Sequence, residues 1–127
     1  MKSIDLHSLL YTDDRGWSLD ILKASGLAAN QVGNLHTASL KPKSIRGNHY
    51  HPEATEWLLV FGGKTQIAWK SIVSDEKETV FVEEGSIRFF QFPPNTVHAV
   101  KNQSNHETYV LAFCDKNNPE TLREVLL

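Results

Sequence analysis

The sequence predicts an all-β barrel or sandwich. Short runs that alternate apolar and polar residues recur along the chain, and Gly, Pro, Asn and Asp clusters punctuate them at regular spacing. No helical pattern separates these runs, which argues against a parallel α/β sheet. At 127 residues the chain suits one domain, residues 1–127, able to bury about two-thirds of its unfolded surface.

Residues 1–13 set Ile4, Leu6, Leu9 and Leu10 among polar neighbours and are expected to form an edge strand, a short helical turn being the other option. Asp13-Asp14-Arg15-Gly16 is a turn signal. Residues 17–22 alternate as a half-buried strand does, and 24–31 form a loop or a single helical turn. Residues 34–40 place His36, Ala38 and Leu40 on one face and Leu35, Thr37 and Ser39 on the other, until Pro42 breaks the pattern. The run 45–51 follows, with Gly47 where a bend or a close backbone approach is needed. Residues 57–61 read as a buried strand, Gly62-Gly63-Lys64 as a hairpin turn, and 65–72 as the returning strand. Further strands are expected at 78–83, 87–92, 96–101 and 108–114, parted by turns at Ser74, Gly85, Pro93-Pro94-Asn95 and Asn102. Asn118-Pro119-Glu120 supplies an N-cap, a first-turn proline and a first-turn acid, so residues 119–127 are expected to form a short C-terminal helix.

Composition excludes several functions. A net charge of −2 offers no electrostatic reason to bind nucleic acid or an anionic membrane. Cys114 is the only cysteine, so no intrachain disulfide can form, which suits a reducing compartment. The opening residues hold no apolar core of signal-peptide length, and no stretch approaches a membrane span. A cytoplasmic protein is expected.

The chemistry concentrates in Arg46-Gly47-Asn48-His49-Tyr50-His51-Pro52-Glu53-Ala54-Thr55-Glu56. In an extended chain i and i+2 share a face, so His49 and His51 point together and Tyr50 points away. Glu56, at the start of the next strand, can swing over the pair. Neutral imidazoles with a carboxylate suit a divalent transition metal such as Zn, Fe, Mn or Ni. His98 is a fourth candidate ligand. His36 shares a face that can reach the same interior, and Arg46 is placed to bind a phosphate or carboxylate on a substrate. Cys114 reads as an inert core thiol, while His7 and His106 lie near turns.

The pattern His49-x-His51-x4-Glu56, followed by Gly62-Gly63, resembles the first motif of the cupin superfamily. Gly85 and Pro93-x4-His98-x3-Asn102 resemble the second, and both blocks lie within residues 43–102. The resemblance implies a double-stranded β-helix, the jelly-roll barrel of cupins, with His49, His51, Glu56 and His98 as metal ligands. It also implies a homodimer, for which the apolar start of the chain is a candidate surface. Asp14-Arg15-Gly16-Trp17, Gln31, Asn34 and Ile45-Arg46-Gly47-Asn48-His49-Tyr50 look like the deoxysugar-nucleotide branch, which holds keto-deoxysugar epimerases, ketoisomerases and the cupin half of capsular-polysaccharide reductases. That likeness implies proton transfer on a keto or hydroxy sugar, with His49, His51 and Glu56 as catalytic candidates and Arg46 and His36 as substrate contacts. The chain departs from the epimerases: it is shorter, and nothing matches their downstream aspartate or acidic tyrosine. Glu56 and His98 instead complete the metal-binding pattern. A metal-dependent dioxygenase, a phosphosugar isomerase of the cupin type, which needs a stronger cationic mouth than Arg46 alone supplies, and a non-catalytic small-molecule-binding cupin are the alternatives.

Overall fold

The computed structural model describes residues 1–127. The chain opens with strand β1 (Lys2–Ile4), the hairpin of β2 (Leu10–Asp13) and β3 (Gly16–Leu19), and the helical turn α1 (Ile21–Ser25). The strands that follow are β4 (Gly33–Leu40), β5 (Ile45–Tyr50), β6 (Glu56–Gly62), β7 (Thr65–Ser71), β8 (Lys77–Val82), β9 (Ile87–Phe92), β10 (Thr96–Asn102), β11 (Thr108–Cys114) and β12 (Leu122–Arg123). With β1 they form two five-stranded sheets, one ordered β1-β9-β6-β11-β4 and the other β12-β5-β10-β7-β8. Every pairing is antiparallel. From β4 onward the chain changes sheet at every connection except the β7–β8 hairpin, which winds it into the expected double-stranded β-helix.

Two clusters hold the fold together. Between the sheets lie Leu40, Leu58, Val60, Ile67, Trp69, Val82, Phe90, Phe92, Val100, Val110 and Ala112. The outer face of the first sheet carries Trp57, Leu59, Phe89 and Phe113, covered by Ile4, Leu6, Leu19, Ile21, Leu27 and Val32 from the preceding segments. β6 is therefore buried on both faces, which is why its apolar run is continuous rather than alternating. The same double cover buries Phe89 and Phe90 alike, although they point in opposite directions. Ile4 and Leu6, expected as an interface surface, pack against their own chain. No helix is long and apolar enough to cross a membrane.

Three expectations need correction. Gly62-Gly63-Lys64 is not a hairpin turn, because β6 and β7 belong to different sheets. The glycines serve a corner where the backbone crosses close to the β10–β11 loop. A Cβ on Gly62, whose φ is +117°, would lie 2.7 Å from the Glu107 carbonyl oxygen. The strand expected over residues 17–22 stops at Leu19, since the Asp20 side chain accepts from the Lys23 N–H and caps α1. The C-terminal helix is absent. Nine residues make a marginal helix on their own, and here Leu122 and Arg123 pair instead with Tyr50 and His49 on the open edge of β5.

Candidate metal centre

The four candidate ligands arrive on three strands, two paired in one sheet and one in the sheet opposite. His49 lies in β5 and His51 just past its end, Glu56 opens β6, and His98 sits in the middle of β10. β5 and β10 align His49 with His98, then slip so that Ala99 faces Gly47 and Asn48 becomes an extra residue. Gly47 and Asn48 have φ of +91° and +58°, the left-handed geometry of a bulge. Only glycine fits first there, because a Cβ on Gly47 would lie 2.7 Å from the His98 carbonyl oxygen. Beyond the bulge the rings gather, with His49 centred 5.3 Å from His51 and 4.9 Å from His98.

Glu56 is the hub. Its Oε1 lies 3.2 Å from His51 Nε2, its Oε2 contacts His98 Nε2, and all three side chains are buried. On the far side of each ring a backbone carbonyl accepts from Nδ1: Glu120 on His51 at 3.0 Å and Thr96 on His98 at 3.2 Å. A carbonyl can only accept, so Nδ1 carries the hydrogen and a neutral ring presents its Nε2 lone pair to the carboxylate. Two lone pairs facing one buried carboxylate call for a proton or a metal cation between them. Neutral imidazoles with one carboxylate fit a divalent transition metal, and carbonyl partners on Nδ1 are the outer contacts that orient metal-binding histidines. Candidate ligand atoms of His49, His51 and Glu56 all lie within 4.8 Å of one another. Phe92 stacks on His98 at 4.3 Å between centroids and 9° between planes, which holds that ring in place.

The rings differ in their affinity for protons. Burial, reinforced by His98, lowers the pKa of His49 to about 4, so it is neutral at physiological pH. Burial also opposes charge on His51, but the Cys114 sulfur, Glu56 and the Glu120 carbonyl outweigh it and raise its pKa to about 10. For Glu56 burial is again opposed, here by His98 and His51, which hold its carboxyl well below the usual carboxylate range. With no metal bound, His51 and Glu56 form a buried imidazolium–carboxylate pair.

A cavity of about 160 Å³ opens onto this centre. His49, Glu56 and His98 make its polar wall, and Ala38, Leu58, Val100, Val110 and Ala112 its apolar floor. His36 and Arg46 also line it and are exposed, which puts them at the mouth. Arg46 is anchored there by donating its Nε–H to the Ser39 carbonyl at 2.9 Å. All six residues singled out in the sequence thus meet at one cavity and the cluster behind it, with His51 behind Glu56 rather than in the wall. His7 and His106 are exposed and take no part. Cys114 is buried, facing Glu56 across the β6–β11 ladder, so it is nearer the centre than a generic core thiol. Sequence reasoning missed Phe92, Asn48 and the contacts from residues 120–121. For Asn48 a signal existed, because a Gly-Asn pair tolerates left-handed backbone; for the others there was none.

Two antiparallel sheets wound around a His-x-His, Glu and His cluster define a cupin. The chain belongs to the family described as Polysaccharide biosynthesis C-terminal domain, whose pattern matches residues 11–122. It is 22% identical over 116 residues to the UDP-2-acetamido-2,6-beta-L-arabino-hexul-4-ose reductase of Pseudomonas aeruginosa, covering 88% of this chain and 30% of that protein. It is 27% identical over 103 residues to an oxalate decarboxylase of Arthroderma benhamiae, covering 75% and 22%. The chain therefore spans less than a third of these curated relatives. Among solved structures it resembles the capsular polysaccharide assembling protein CapF from Staphylococcus aureus, with a TM-score of 0.67, 21% identity, and coverage of 93% of this chain and 32% of that one. A dTDP sugar isomerase from Desulfovibrio desulfuricans superposes with a TM-score of 0.75 at 15% identity, covering 91% and 79%. At such identities these structures share the fold with this chain.

Proposed function

We propose that His49, His51, Glu56 and His98 hold one divalent transition metal and that the centre acts on a keto or hydroxy sugar by isomerase-type proton transfer. The observation that carries this reading is the convergence of two imidazole Nε2 atoms, each with its Nδ1 occupied by a carbonyl, on one buried carboxylate. The family description and the sugar-modifying relatives support the substrate class. When bound, a divalent metal polarises a substrate carbonyl and acidifies the adjacent C–H. His49 or Glu56, both at the cavity wall, moves the proton, whichever of the two stands off the metal; in a metal-free centre that role falls to neutral His49. Arg46 at the mouth binds an anionic group of the substrate, and His36 beside it contacts a hydroxyl. The apolar floor excludes water from the reacting carbon.

Elemental analysis of the purified protein beside His49→Ala and His98→Ala tests the centre. About one metal per chain is expected in the parent and little in either variant. A parent that stays metal-free after supplementation would sink the metal reading and leave a metal-free isomerase with His49 as base. Deuterium uptake from heavy water into keto-sugar nucleotides reads the proton transfer. Oxygen consumption without such uptake would favour a dioxygenase, and neither signal would leave a binding module.

A further inference from the structure

His51 takes no part in the cavity wall. It lies behind Glu56, held on its far side by Glu120 and Thr121, the start of a strap, residues 120–127, that runs along the open edge of β5. The Glu120 carbonyl accepts from His51 Nδ1 at 3.0 Å, and the Thr121 hydroxyl lies 3.2 Å from the same atom. This strap has little regular structure of its own, since only Leu122 and Arg123 pair with β5.

Asn48 fastens the strap. Its side-chain oxygen accepts from the N–H groups of Leu126 at 2.8 Å and Leu127 at 3.1 Å, and its amide donates to the Leu127 carbonyl at 3.2 Å. Its backbone carbonyl accepts from the Glu124 N–H at 2.9 Å. The Lys70–Glu124 ion pair adds a partly exposed contact, which holds such a segment only weakly. Asn48 is also the extra residue of the bulge, buried at 8% exposure, with its side chain turned toward the strap.

We propose that Asn48 is a positioning residue of the metal centre. By clamping the strap it keeps the Glu120 carbonyl on His51 Nδ1, and that bond keeps Nε2 aimed at the ligand cluster. The inference rests on the metal reading above and gives the bulge a second duty beyond setting His49 against His98.

Asn48→Gly separates the two duties, because glycine accepts the left-handed backbone and removes only the clamp. Zinc affinity, measured by competition with a chromophoric chelator, is read beside amide hydrogen exchange at Leu126 and Leu127. The variant is expected to lose protection at both amides and to bind zinc at least about tenfold more weakly. Asn48→Asp keeps the acceptor for both N–H groups and is expected to recover most of the affinity. Zinc affinity within twofold of the parent, or amides that stay protected, would overturn the inference while leaving the metal centre standing. A parent that takes up no zinc would instead remove the metal reading, and this inference with it. If Asn48→Gly fails to fold, Asn48→Ser, whose side chain is too short to reach both N–H groups, decides: weaker zinc binding with exposed Leu126 and Leu127 amides supports the inference, and unchanged binding overturns it.

Discussion

Single residues set the proton balance of the centre. His49 has a folded pKa near 4, below the ordinary histidine value of about 6.5, so the unfolded chain binds a proton that the folded one refuses. Its effect is to cost stability as pH falls from about 6.5 toward 4. His51 has the opposite sign. Its folded pKa near 10 means that its contribution is fully present below about 6.5 and is lost as pH rises toward 10. Glu56, held below the usual carboxylate range, contributes above that range and loses its contribution only in strong acid. The metal-free protein is therefore expected to be most stable near pH 6.5, which a series of thermal melts from pH 4 to 10 would show. His51→Asn should flatten the alkaline limb. Saturating zinc should flatten it too, since the metal replaces the proton on His51. A parent profile with no decline between pH 7 and 10 would contradict the assigned His51–Glu56 pair.

At the scale of elements, the bulge in β5 and the stacked floor under His98 do the positioning. Gly47→Ala introduces a Cβ 2.7 Å from the His98 carbonyl in a backbone conformation that alanine resists. It is expected to destabilise the protein by roughly 2 kcal/mol or more in denaturant titration and to weaken zinc binding, because β5 must shift away from β10. An equally stable variant with unchanged zinc affinity would show that the bulge is not what sets the ligands. Phe92→Ala removes the ring stacked on His98 and leaves a void beneath it. A loss of about 3–5 kcal/mol is expected, together with weaker metal binding as the His98 ring gains freedom.

At the scale of the whole molecule, stability and site geometry separate. Ile67 is fully buried in the cluster between the sheets, yet it does not line the cavity. Ile67→Ala should cost about 2–5 kcal/mol in denaturant titration and leave the zinc affinity of the folded protein within about twofold. If zinc affinity fell as far as in Phe92→Ala, the core and the centre would be one cooperative unit rather than a scaffold with a site at one end. The two-sided cover of β6 also explains how so small a chain holds a buried carboxylate. Glu56 opens a strand packed on both faces, so its backbone has little freedom to withdraw the side chain from the imidazoles.

Alternation and punctuation in the sequence determined most strands, the inward face of His36, Ala38 and Leu40, and the joint projection of His49 and His51, because period-two patterns are local and a buried face imposes them residue by residue. The spacing of the two histidine blocks likewise brought the candidate ligands onto one list. Which sheet each strand would join was decided only by the tertiary structure. Gly62-Gly63 reads locally as a hairpin and serves as a corner between sheets, since the demand for glycine comes from the approach of the Glu107 carbonyl across the barrel. Residues 119–127 carry good helix-start signals and form a strap instead, because pairing with β5 and the clamp of Asn48 satisfy backbone groups that a marginal helix would leave open to water. The same holds for the centre. Residue type named the candidate ligands, but the tautomers of His51 and His98 were set by carbonyls, and the Glu120 carbonyl lies 69 positions away from His51 in the chain.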